Sequence, residues 1–314
     1  MLSIGIDLGG TKITGAVFDS EGNILHKTAH LVEHRQGNEV GQLVTQAIDE
    51  LFQVSEKEKI EAIGICVPGI SDSKTQLIWA PNIAGWESYP LQKEIEEHIH
   101  NPNIPVVIES DRTCYILGET WKGTAKGSKN AVFISVGTGI GVGILLDGHI
   151  LHGHADIVGA AGWLALDTQY EDDYVQYGCF ESKASGNGIA RCARHLLEEH
   201  RLFEESLLYA RDIETITAHE VFDAYEQNDP LAVYVIDEAV KMWGMAAANI
   251  VSLLNPERIV WGGGVFGPAA KLLDRIYAEA CRWAQPIAIK QVVFEKSHLC
   301  GDAGLYGAGR LAIF

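Results

Sequence analysis

The chain has no apolar run long enough to span a bilayer, and no charged-then-apolar leader precedes its first strand. That pattern excludes a membrane-spanning helix, and a cytoplasmic protein is expected. Clusters of Lys and Arg are also missing: 24 basic residues face 42 acidic ones, for a formal net charge of −18. Counterion release from a nucleic-acid backbone needs such clusters, so no nucleic-acid partner is expected. The six cysteines, Cys66, Cys114, Cys179, Cys192, Cys281 and Cys300, include no Cys-x-x-Cys pair. Disulfides are therefore not expected, and Cys66 and Cys114, which lie in apolar segments, read as small core residues.

What the sequence does contain is enough apolar surface for large cores. With 314 residues and 47% hydrophobic content, the length suggests two α/β lobes. Strands are predicted at 3–8, 13–19, 23–28 and 61–67, with a helix at 38–54 in which Val40, Leu43, Val44, Ala47, Ile48 and Leu51 share one face. A helix near 91–99, a strand at 105–108 and a helix from Asp111 to Trp121 complete the first lobe. The polar, glycine-containing break at 123–130 then reads as the hinge. Strands at 131–136, 140–146 and 149–151 open a second set, followed by an irregular stretch at 153–183. Helices are expected at 187–199, 218–226, 230–253 and 268–283, with strands at 258–262 and 290–294. The last helix, 303–312, returns to the first lobe. The expected domains are 1–122 with 303–314, and 123–302, with a cleft between them.

The first strand runs directly into Asp7-Leu8-Gly9-Gly10-Thr11-Lys12 before a second strand resumes. Two glycines let the backbone turn close to a ligand, a hydroxyl and an ammonium follow, and Asp7 at the strand end is placed to hold Mg²⁺ through water. The segment 133–143 repeats this chemistry, with Gly137, Thr138 and Gly139 at its turn. Two such hairpins can grip the phosphates of a nucleotide through backbone N–H groups and the hydroxyls of Thr11 and Thr138, which suits an acidic protein with no basic surface. A third cluster, Gly262-Gly263-Gly264, ends a short strand and leaves a side-chain-free patch for an adenine and its ribose. His152 and His154 stand two apart, but no acidic or Cys partner accompanies them at ligand spacing, so they read as solvated or core histidines.

In this order the three clusters resemble the sugar-kinase, heat-shock-protein and actin superfamily, and more closely its ROK (repressor, open reading frame, kinase) family. Further segments carry the likeness: Val67-Pro68-Gly69, Pro81-Asn82 with Trp86, Glu109-Ser110-Asp111, Gly159-Ala160-Ala161-Gly162, Ser185-Gly186-Asn187-Gly188 and Asp302-Ala303-Gly304. The resemblance implies an actin-like, ribonuclease H-like ATPase fold, and an ATP- and Mg²⁺-dependent kinase acting on a hydroxyl of a sugar or polyol. It makes Asp111 the catalytic base and places Gly69, Asn82, Ser110, Trp163 and Glu181 around the acceptor. Homodimers are common in the family. The family's DNA-binding members carry a helix-turn-helix before the first strand, and a repressor is not expected here.

The sequence departs from the family at the acceptor. The Asn preceding the base is Ser110, and the family's Gly-Glu-x-Gly-His reads Gly162-Trp163-Leu164-Ala165-Leu166, so an acid and an imidazole are lost. The segment that ligates zinc in the family keeps only Cys179, with Leu166, Asp172 and Tyr174 at the other positions; one thiolate does not make a structural zinc site, and no zinc is expected. The loop 165–183 should instead be held by packing of Trp163, Tyr170, Tyr174, Tyr177 and Phe180. An indole in place of polar groups favours an acceptor with fewer hydroxyls or a deoxy, anhydro or methyl-bearing face. The same losses motivate an alternative, a sugar- and nucleotide-binding sensor of the same fold without efficient catalysis.

Overall fold

A computed structural model describes residues 2–55, 60–199 and 203–313. The elements in order are β1 (Leu2–Leu8), β2 (Lys12–Asp19), β3 (Ile24–Leu31), α1 (Asn38–Val54), β4 (Ile60–Val67), β5 (Ile70–Ser71), β6 (Ile78–Trp79), α2 (Leu91–Ile99), β7 (Val106–Ser110) and α3 (Asp111–Trp121). They continue with β8 (Ala131–Val136), β9 (Ile140–Leu146), β10 (His149–Ile150), α4 (Tyr174–Tyr177), α5 (Cys179–Ala184), α6 (Gly186–Glu198), α7 (Ala218–Glu226), α8 (Pro230–Leu254), β11 (Arg258–Gly262), α9 (Leu273–Trp283), β12 (Val293–Lys296) and α10 (Ala303–Leu311).

The chain divides into two compact units: Met1–Lys129 with Gly143–Val158 and Ser297–Phe314, and Asn130–Val142 with Gly159–Lys296. Among the described residues the sheets run β3-β2-β1-β4-β7 and β10-β9-β8-β11-β12. In each, two antiparallel strands lead into parallel ones: β1 pairs antiparallel with β2 and parallel with β4, and β11 lies parallel to both β8 and β12.

The first unit buries both faces of its sheet. On one face Ile4, Ile6 and Leu8 of β1 and Ile63, Ile65 and Val67 of β4 pack with the apolar side of α1, where all six residues of the face read from its period are buried. That burial, rather than helix propensity, is what holds α1 in place. On the other face Ala16 and Phe18 meet Leu305, while Cys66 and Cys114 meet Ala308, so α3 and α10 form the second cover. In the second unit Trp243 of α8 is fully buried and donates its indole N–H to the Ala184 carbonyl at 3.0 Å, which fastens α5 to α8.

Local differences from the sequence reading have physical causes. The 268–283 segment is a 3₁₀ turn (Ala269–Leu272) followed by α9, and the last strand falls at 293–296. The 165–183 stretch contains α4 and α5, joined at Gly178, whose φ of 76° breaks the helix between them.

Candidate functional site

In the first unit the register gathers the sequence-derived acids at one edge. Asp7 of β1 stands beside Cys66 of β4, and Cys66 beside Glu109 of β7. β1, β4 and β7 are mutually parallel, so Asp7, Gly69 and the Ser110–Asp111 junction all lie at carboxyl ends of strands, where open α/β sheets bind ligands. Gly9 closes the β1–β2 turn by donating its N–H to the Lys12 carbonyl at 2.9 Å, and Gly10, Thr11 and Lys12 are exposed at its tip. Asn82 is exposed on the loop 80–86, whose other end is anchored by the buried Trp86, donating its indole N–H to the Gly37 carbonyl at 3.0 Å.

Asp111 is the first residue of α3, and Ser110 occupies the capping position without capping: its hydroxyl lies 3.2 Å from that of Thr113. The Asp111 carboxylate instead accepts the N–H of Arg112 at 2.8 Å. Burial lifts the Asp111 carboxyl above its usual range, against the opposing pull of Arg112 and Tyr115. Burial also raises Asp7, to about 6, with the Asp111 and Asp302 carboxylates adding to the rise and the Cys66 thiol and Lys12 opposing it. The α10 backbone comes so close that a Cβ at Gly304 would lie 2.8 Å from both Asp7 carboxylate oxygens. Two raised carboxylates at this edge, with Asp111 adding to the rise of Asp7, form a donor set whose charge a divalent cation would relieve, and Asp7 is the one that could hold Mg²⁺ through water.

In the second unit Gly137 donates its N–H to the Gly139 carbonyl at 2.9 Å and accepts that of Gly186 at 2.8 Å. The turn therefore docks onto the start of α6, where the Ser185 hydroxyl caps the helix by accepting the Gly188 N–H at 3.0 Å. Gly262 ends β11, and Gly264 opens a 3₁₀ turn. Between these elements is a cavity of about 470 Å³ lined by Gly137, Thr138, Gly186, Asn187, Arg194 and Gly264 among others. Its size suits a small-molecule ligand, and the start of α6 beside the exposed Thr138 favours an anionic one. Arg194, Thr217 and His219, which also line it, were not singled out by sequence; one helical arginine and two residues at the start of α7 carry no signal of their own.

Glu181 of α5 turns its carboxylate onto the same hairpin, accepting the Ile140 N–H at 2.7 Å. Burial raises its carboxyl, which this N–H and Arg191 partly offset. Trp163 stands on a 3₁₀ turn (Ala161–Trp163) and is 57% exposed.

The ROK family pattern matches residues 3–313. The chain belongs to the ROK family. It is 34% identical to a glucokinase of Halalkalibacterium halodurans, over 98% of this chain and 94% of that one. A ROK glucokinase from Streptomyces griseus, solved with glucose and AMPPNP, superposes with a TM-score of 0.77 at 28% identity, covering 99% of both chains. A ROK transcriptional regulator, homologous to the E. coli MLC protein, superposes with a TM-score of 0.84 at 25% identity, over 99% of this chain and 78% of that one. The fold is that of the actin-like ATPases, as in these ROK sugar kinases. No helix among the described residues is long and apolar enough to cross a membrane.

Two sequence readings of this ROK chain need correction. Trp163 and Tyr170, expected to pack the 165–183 loop, are 57% and 71% exposed, though the Tyr170 ring meets that of Tyr174 edge-on with centres 5.7 Å apart. Tyr174 and Phe180 are buried as expected, and polar contacts supply the rest: Lys183 pairs with Glu171 at 2.7 Å, and the Arg191 guanidinium lies 4.4 Å from the Tyr177 ring centre. At the family's zinc positions, Tyr174 and Cys179 are buried, Asp172 is exposed and Leu166 is half-buried. His152 does have acidic neighbours. Its Nε2 lies 3.7 Å from Glu109 and its Nδ1 3.7 Å from Asp156, whose other oxygen accepts the Ser73 N–H and hydroxyl, both at 2.9 Å. Glu109 and Ser73 are remote in sequence, which is why spacing did not reveal them, whereas Asp156 stands only four residues beyond His152.

Proposed function

We propose that the protein transfers the γ-phosphoryl group of ATP to a hydroxyl of a sugar or sugar-like polyol, with Asp111 as the general base. The observation that carries this reading is the placement of Asp111 at the strand-to-helix junction of β7 and α3, on the sheet edge that also holds Asp7 and Gly69. Its carboxylate is held by a fixed N–H, and burial raises it above the usual range, which makes it a stronger proton acceptor. As the acceptor oxygen bonds to phosphorus, its proton passes to Asp111 and ADP departs. Mg²⁺, when bound, neutralises charge on the phosphates; Asp7 is the residue assigned to organise it. The cavity beside Gly137, Thr138 and Gly264 is assigned to the nucleotide, an assignment supported by the AMPPNP-bound relative.

The nucleotide assignment gives a direct prediction. A Cβ at Gly264 would meet nothing within 4 Å, so a side chain there fits the fold but occupies the cavity. Gly264→Val should weaken ATP binding by about tenfold or more, the equivalent of one or two lost contacts, with the melting temperature unchanged. Calorimetric titration with ATP and Mg²⁺ tests this, and wild-type affinity in the variant would remove the nucleotide from this cavity.

Relatives named as glucokinases make glucose the first acceptor to try. Trp163 and Leu166, in place of an acid and an imidazole, extend the panel to amino, deoxy and anhydro sugars, polyols and cyclitols. The same two replacements favour a second reading, a ligand-binding sensor without efficient catalysis, and the transcriptional regulator among the solved relatives leaves that reading open. ADP release measured across the panel separates the two: turnover on any acceptor supports the kinase, and binding without turnover supports the sensor.

A further inference from the structure

We propose that Glu119 is a positioning residue, a buried latch that fastens the two segments flanking the second unit, 123–129 and 297–302, to the helix that begins with Asp111. Glu119 lies on α3 about two turns beyond Asp111 and has no exposed surface. One carboxylate oxygen accepts the Thr124 N–H at 2.7 Å, and the other accepts the Ser297 hydroxyl. The contacts close into a network. Ser297 Oγ accepts the Cys300 N–H at 3.0 Å, Thr124 Oγ1 accepts the His298 N–H at 3.1 Å, and the Glu119 carbonyl accepts the Gly123 N–H at 3.1 Å. Gly123 is obligatory here, because a Cβ would run into the Glu119 carboxylate.

The position of this network in the chain gives it its meaning. The chain first leaves the first unit after Lys129 and, having come back to it over 143–158, returns for the last time at Ser297, so a single side chain gathers the first departing and the last returning segment. The returning strand leads within a few residues to Ala303 and Gly304 of α10, against which the Asp7 carboxylate rests. Glu119 thus joins the helix that carries Asp111 to the segment that borders Asp7. A buried carboxylate is a poor stabiliser compared with an apolar residue of the same size, because its desolvation offsets what its partners return. It offers what no apolar residue does, two strong acceptors that draw separate segments to one point.

The catalytic part of the inference rests on the kinase reading; the latch itself does not. Four measurements on the full chain separate them: hydrogen exchange of peptides from 122–129 and 297–302, melting temperature, kcat and KM. In Glu119→Ala, exchange in those two peptides should rise about tenfold, as expected for losing hydrogen bonds to a charged group, while α1 and β2 keep wild-type protection. With glucose or another acceptor that turns over, kcat should fall by about 10- to 100-fold, the scale of a small misplacement of a catalytic group, with KM for both substrates unchanged. Glu119→Gln retains an acceptor for Thr124 and gains a donor for Ser297, and should recover most of kcat. Ser297→Ala, which keeps the carboxylate, covers the case in which Glu119→Ala does not fold, and should show the same local pattern more weakly. Exchange that rises evenly over the whole first unit would overturn the latch, and localised exchange with kcat unchanged would overturn the positioning role. Absence of turnover by the wild type on every acceptor would sink the kinase reading instead, and the exchange data would still decide the latch.

Discussion

Asp111→Asn is expected to lower kcat by roughly 10²- to 10⁴-fold, the usual contribution of a positioned general base, while leaving ATP affinity within experimental error of wild type. The amide is isosteric and still accepts the Arg112 N–H, so the start of α3 keeps its geometry. What the amide lacks is a site for the acceptor proton. Without it the hydroxyl must lose its proton to solvent or carry it into the transition state, and the phosphoryl group finds no activated oxygen. The measurement is ADP release under saturating ATP with the best acceptor, beside calorimetric ATP binding. Retained turnover would remove Asp111 from the base role. Loss of ATP binding together with turnover would instead make Asp111 part of the cation site.

Asp7→Asn should have two opposed effects, and its stability effect has a definite pH dependence. The Asp7 carboxyl titrates near 6 in the folded protein against a reference of 3.8. Because the folded value is the higher one, the folded state binds the proton more tightly. Below a pH of about 4 Asp7 is protonated in both states and costs nothing. As pH rises through about 6 the fold must ionise a buried acid that faces two other carboxylates, and stability falls by about 3 kcal/mol in all. Asn removes that cost. The variant should therefore melt above wild type near neutral pH, by about 5 °C, and the difference should vanish below about pH 4. Its phosphotransfer should be lost, since the cation-organising carboxylate is gone. Melting curves of both proteins across this range are the check: equal melting temperatures near neutrality would mean that Asp7 is not strained by burial. A site more stable without its acid is the expected trade between activity and stability.

How much of this was legible in the sequence differs from element to element. The face of α1 was readable because a 3.6-residue period with six apolar positions has few alternative solutions. The β1–β2 and β8–β9 hairpins were readable because strands that turn on glycines announce themselves locally. The acids at the carboxyl edge of the first sheet needed more. Asp7 and Asp111 were identified as acids at strand ends, but only the parallel register through Cys66 and Glu109 shows that these ends are neighbours. Contacts between distant segments were not legible at all. His152 reaches Glu109, and Glu119 reaches Ser297, across intervals in which no local pattern records the partner. The 165–183 segment failed for a related reason. An aromatic residue signals burial only on average, and Trp163 and Tyr170 are exposed while charged residues beside them make the fixing contacts.

The placement of α10 has a consequence for how the molecule is made. Residues 303–311 cover a face of the sheet built from residues 2–8, 12–19 and 60–67, and Leu305 and Ala308 complete its clusters with Phe18, Cys66 and Cys114. During synthesis that sheet emerges first, yet its cover emerges last, after the whole of the second unit. The order of translation is thus the reverse of the order of completion: the second unit, 130–142 with 159–296, is synthesised in full while the N-terminal sheet still shows an apolar face to the ribosome exit and its chaperones.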